Sequence, residues 1–121
     1  MKTSAKILAP VFVLLIVGVV AFGLSSHHKA QLTIENRSGE DIDALTVQVS
    51  GQLLAVGSVA RGATKEVIVT RYSDSHWTLN GAWSASGKIH EEFGYITDGM
   101  SFDDRAVFKK DRRLNFTSTP K

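Results

Sequence analysis

The sequence predicts an all-β fold, a small antiparallel β-sandwich preceded by one N-terminal transmembrane helix. Three observations carry this. Apolar and polar residues alternate from Ala30 onward, Gly-bearing turn signals recur at intervals of about 8 to 14 residues, and residues 7–24 form an unbroken apolar run.

The apolar run, ILAPVFVLLIVGVVAFGL, is 18 residues long without a charge, which just crosses ~30 Å of hydrocarbon at 1.5 Å per residue. Lys2 and Lys6 precede it, so the positive-inside rule keeps residues 1–6 in the cytoplasm and exports the chain beyond residue 24. The expected place is therefore the inner (cytoplasmic) membrane, single-pass, with the C-terminal domain in the periplasm. Cleavage after Ala21 or Gly23 would instead release a secreted, periplasmic protein. The run exceeds the usual ~7 to 15 residue signal core and no A-x-A closes it, which favours a signal anchor. Gly18 and Gly23 are spaced by five and do not make a G-x-x-x-G pairing face. Residues 25–30 form a linker, 31–118 the sandwich and 119–121 a tail.

Within the domain, Leu32 and Ile34 open the first strand and Asn36-Arg37-Ser38-Gly39 turns it. Leu45, Val47 and Val49 share the buried face of a second strand, closed by Ser50-Gly51. A short apolar strand comes next, over 53–59. In residues 66–72, Val67, Val69 and Arg71 lie on one side and Ile68 on the other. The strongest alternation is in 76–85, where Trp77, Leu79, Gly81, Trp83 and Ala85 share a face, marking a central strand. Ser86-Gly87 turns this run into 88–97, with Ile89, Phe93 and Tyr95 in one register, so the two read as a hairpin. Asp98-Gly99 closes it. Residues 106–108 and 113–117 are short and predict edge strands, with Lys109-Lys110-Asp111 as the turn between them. Six to eight such strands point to a sandwich of immunoglobulin-like or transthyretin-like type, with a small open barrel as the alternative.

The chain of 121 residues has room for one domain after the apolar segment, and its lack of cysteine leaves stability to packing and backbone pairing. It also excludes thiol catalysis, disulfides, cysteine zinc sites and a lipidated N-terminal cysteine. The formal net charge is +2, but from Ala30 onward eleven Lys and Arg face twelve Asp and Glu, a net of −1. The basic excess flanks the apolar segment, so nucleic acid is not an expected partner.

No G-x-S-x-G, phosphate loop or G-x-G-x-x-G is present, so no catalytic residue and no cofactor is assigned and the chain is not expected to be an enzyme. A paired-carboxylate hydrolase acting on cell-wall polymer would have to draw on Glu91, Glu92, Asp103 and Asp104, a set without a motif. His27 and His28 are neighbours in the linker, where side chains diverge. His76 lies two residues after Asp74, and His90 opens His90-Glu91-Glu92, which lacks the second histidine of the helical zinc motif. The Asp98, Asp103 and Asp104 cluster does not fit an EF-hand. No metal ligand is assigned, and Asn36-Arg37-Ser38 and Asn115-Phe116-Thr117 are only formal glycosylation triplets.

The remaining role is recognition. Lys109, Lys110, Arg112 and Arg113 form the densest charge in the domain and suit an acidic partner or anionic lipid. Tyr72, Met100 and Phe102 sit near turns as candidate exposed anchors. The expected function is a membrane-anchored, extracytoplasmic protein-binding module without catalytic activity, either an envelope-complex component or a toxin-neutralising immunity protein. Its expected partners are another protein and, through residues 7–24, the membrane. The alternative is a small-ligand or metal-binding periplasmic domain using His76, His90 and the Asp98 to Asp104 loop.

Overall fold

Alternation puts one face of each strand inward, and the eight faces close on one another. The computed structural model describes residues 28–120, so the expected anchor over 7–24, together with Lys2, Lys6 and His27, lies outside the described residues. The strands are β1 (Ala30–Asn36), β2 (Ile42–Val49), β3 (Gln52–Val59), β4 (Thr64–Val69), β5 (Ser75–Trp83), β6 (Lys88–Ile96), β7 (Phe102–Phe108) and β8 (Leu114–Pro120). They form two four-stranded sheets, ordered β4-β1-β7-β8 and β3-β2-β5-β6. Leu32, Ile34, Val47, Trp77, Leu79 and Phe108, all fully buried, lie in the core between the sheets. The architecture is an all-β sandwich, as the alternation implies.

Chain direction gives the sandwich two distinct ends. The near end carries Lys29, where the chain leads into β1, together with the loops over 50–51, 70–74 and 97–101. The far end carries the loops over 37–41, 60–63, 84–87 and 109–113.

Three local expectations are corrected. Residues 106–108 are not an edge piece but the end of β7, a seven-residue central strand lying parallel to β1 in register Ala30↔Phe102 to Asn36↔Phe108. Asp103 and Asp104 hide it in the sequence by interrupting the apolar pattern. Tyr95 does not share the inward register of Ile89 and Phe93. The pairing shifts between Ser75↔Ile96 and Trp77↔Phe93, Gly94 takes φ +75°, and this bulge turns Tyr95 outward and Ile96 into the core. Only glycine suits that position, because a Cβ there would meet Phe116 at 2.9 Å. Likewise β2 begins at Ile42, and its register shift between Ile42 and Leu45 passes through Ala44 at φ +50°, so two core residues stand three apart instead of two.

Candidate functional site

The far end is built on Asn36. Its side chain is fully buried, and its Nδ2 donates to the Glu40 carbonyl (2.7 Å) and the Val59 carbonyl (2.9 Å). Its Oδ1 accepts from the Ser38 amide (3.2 Å) and hydroxyl (2.6 Å). Its backbone joins Ala63 and Gly62. One residue therefore ties the 37–41 loop to the 60–63 loop. The amide that would carry a glycan is occupied in the interior, so Asn36-Arg37-Ser38 is a structural turn.

The predicted basic cluster divides at this end. Arg112, in the left-handed region at φ +66°, makes a two-pronged ion pair with Glu40, Nε to Oε2 at 2.9 Å and Nη2 to Oε1 at 2.6 Å. Its Nη1 also donates to the Ser86 carbonyl (3.1 Å), and its guanidinium lies 4.9 Å from the Trp83 ring centroid. Trp83 in turn meets Phe108 edge-on at 5.5 Å, so the latch rests on the core where the two sheets touch. Arg112 is thus a clasp between three far-end loops. Arg113 is exposed and lies 3.5 Å from Asp111, a loose pair. Arg37 pairs with Glu35 (2.9 Å), which Arg105 also grips. Lys109 and Lys110 are exposed and have no ion-pair partner among the described residues. With Arg37 and Asp111 they line one shallow depression.

Arg112, through its hydrogen bonds, holds the Glu40 carboxyl below its ordinary value of 4.5. A carboxylate depressed on folding contributes stability that is present above its unfolded pKa and lost as pH falls through the folded value. Glu40→Gln should therefore lower Tm most near neutral pH, with the gap to wild type closing below about pH 4.5. A gap that stays constant into acid would show that the clasp contributes nothing electrostatic.

The candidate apolar anchors are elsewhere. Tyr72 and Met100 lie at the near end, where the Tyr72 hydroxyl donates to the Met100 carbonyl. Burial chiefly, and then the charge of Asp98, raises the Tyr72 pKa above its ordinary value. Phe102 is a correction: it opens β7 and is buried in the core, so it is no exposed anchor. The seven candidate residues therefore do not make one surface. The cations stand at one end of the sandwich, and Tyr72 and Met100 at the other.

The histidine and acidic candidates separate in the same way. His76, on β5, and His90, on β6, both bond Glu92, through Nε2 to Oε1 at 3.0 Å and Nε2 to Oε2 at 3.1 Å, and His90 Nδ1 lies 2.7 Å from Asn80 Oδ1. The bonds from His90 first, and then His76, lower the Glu92 pKa. The carboxylate stands between the rings, one oxygen for each, so the three donors do not converge on a point. Among the described residues no group of three or more such side chains is disposed to hold a metal. Asp98 and Asp104 also diverge. The Asp98 amide donates to Asp74, whereas Asp104 is fully buried and accepts from Trp77 Nε1 (2.8 Å) and the Ser118 hydroxyl (2.5 Å).

Sequence reasoning missed Asn36 and Glu40 as organisers of this end. The Asx-turn signature of Asn36-x-Ser38 was the available signal for the first. Nothing local marks the second, whose partner lies 72 residues away.

No protein-family model matches the chain, and no curated protein matches it. Among solved structures, the chain is similar to one described as the NMR structure of a protein from Eubacterium rectale, at 8% identity. That likeness covers 74% of this chain and 87% of the other with a TM-score of 0.54, and it shows the fold alone.

Proposed function

We propose that this protein is a non-catalytic recognition module, held at the extracytoplasmic face of the inner membrane by residues 7–24, that offers its far end to an acidic surface of another protein. One observation supports this above the others. The exposed cations Lys109, Lys110 and Arg113 collect at the end opposite Lys29, the end that an anchored domain presents outward. Seven strand residues at about 3.3 Å each lift them more than 20 Å, beyond the ~8 Å over which lipid headgroup charge acts at physiological salt. An acidic protein therefore suits this cluster better than anionic lipid. We read the sandwich as transthyretin-like, because β1 pairs with β4 and β7, whereas the first immunoglobulin strand shares a sheet in the order A-B-E-D. An envelope complex or an incoming toxin would supply the partner.

The test is capture from detergent-solubilised membranes followed by mass spectrometry, comparing wild type with Lys109→Glu/Lys110→Glu/Arg113→Glu. Arg112 is kept, because changing it would dismantle the clasp. A stoichiometric partner whose recovery falls on the order of tenfold in the variant, and falls likewise with added salt, is the expected result. Equal recovery by both proteins would move the interface elsewhere, and no partner under any detergent would overturn the reading.

A further inference from the structure

Among the described residues, four large apolar side chains stay exposed: Leu53 (68%), Ile68 (51%), Tyr95 (66%) and Met100 (42%). They come from β3, β4, β6 and the β6–β7 loop, yet all four gather at the near end. Leu53 is the second residue of β3, just past the 50–51 turn. Ile68 and Tyr95 are each one residue short of the near-end termini of β4 and β6. Their neighbours Leu54, Val67, Val69 and Ile96 face inward or pack against the core, so strand alternation and the Gly94 bulge turn these side chains outward. Leu53 projects from one sheet and Ile68 from the other, so the four encircle the end instead of filling one groove. The far-end loops, by contrast, expose charge.

We infer that this apolar girdle seats the domain on the surface of the bilayer in which residues 7–24 are anchored, a step that rests on the anchor reading above. The chain itself dictates the distance. Lys29 already belongs to the near end, its amide bonded to Ser101 Oγ (3.3 Å) and its carbonyl to the Phe102 amide (3.0 Å). Only residues 25–28 then separate the apolar run from the domain, five Cα–Cα steps from Leu24 to Lys29 and a reach of at most about 18 Å. A rim held that close meets the interfacial zone, where tyrosine and large apolar side chains bury their bodies and leave polar groups wet. Lys29 and Arg71 at this end are offset by Asp74, Asp98 and Asp103. Apolar insertion therefore provides the attraction, and salt changes it little.

The full chain is reconstituted in phosphatidylcholine vesicles whose acyl chains carry a bromine quencher. Because the protein has no cysteine, Ser73→Cys at the near end and, in a second variant, Lys110→Cys at the far end each accept one environment-sensitive fluorophore. Quenching is expected to be several-fold greater at position 73 than at 110, to persist at high salt, and to vanish at 73 in Leu53→Ser/Ile68→Ser/Tyr95→Ser/Met100→Ser. Those four positions are exposed, so unchanged circular dichroism controls for folding. Equal, weak quenching at both positions overturns the inference, as does quenching at 73 that the fourfold variant leaves intact. Alkaline extraction of the same vesicles reads the anchor separately. A chain that resists extraction but is unquenched at 73 keeps its anchor and loses its girdle. One that is extracted and unquenched loses both, and one quenched at 73 but extractable keeps the girdle alone.

Discussion

Trp77→Ala is expected to destabilise the domain by about 3–5 kcal/mol, the largest loss among single substitutions considered for this protein. Trp77 is fully buried on β5, and its indole crosses the core to donate to Asp104 on β7, in the other sheet. Truncation opens a cavity between the sheets and removes a hydrogen bond from a buried acid. Against a total stability of roughly 5–14 kcal/mol for a domain of this length, that loss is a large fraction. Trp77→Phe keeps most of the ring and loses the donor, for an expected cost of about 1–3 kcal/mol. Equilibrium urea unfolding followed by circular dichroism separates the two effects. If both variants cost the same, the hydrogen bond to Asp104 dominates; if Trp77→Phe is neutral, that bond contributes nothing and packing carries the whole effect.

Asn36→Ala is expected to cost about 2–4 kcal/mol, because the Val59 carbonyl is left buried without this donor and the Ser38 turn loses its acceptor. Asn36→Asp provides the sharper test. It restores the acceptor for Ser38 but replaces the Nδ2 donor with an oxygen facing the Glu40 and Val59 carbonyls, so at neutral pH it should be at least as damaging as alanine. The same denaturation measurement decides it. An aspartate variant as stable as wild type would mean that the two carbonyls find other donors and that Asn36 does not organise the far end. Because this residue holds the loop that carries Arg37 and Glu40, the acid that Arg112 grips, its loss should also weaken capture of an acidic partner without touching Lys109 or Lys110.

Much of the fold was legible because strand alternation is a local property. Leu45, Val47 and Val49, then Trp77, Leu79 and Trp83, turn inward as their period of two requires. The β5–β6 hairpin arises from Ser86-Gly87, with the Trp83 amide bonded to the Gly87 carbonyl. The errors fall where an element departs from its local rule. A bulge at Gly94 swaps Tyr95 for Ile96, a left-handed Ala44 resets β2, and a buried aspartate interrupts β7 while finding Trp77 and Ser118 as partners.

The site was legible in composition and not in arrangement. That four cations crowd into residues 109–113 is visible in the sequence; that Arg112 is committed to Glu40, 72 residues away, is not. The sequence by itself determined most strand faces, most turns and the charge inventory, since each depends on residues a few positions apart. Only the tertiary structure decided that β1 and β7 run side by side, that the cations and the apolar girdle occupy opposite ends, and which arginine is a clasp. Those outcomes depend on strand order and on contacts between residues distant in the chain, where packing of the whole core selects the partner.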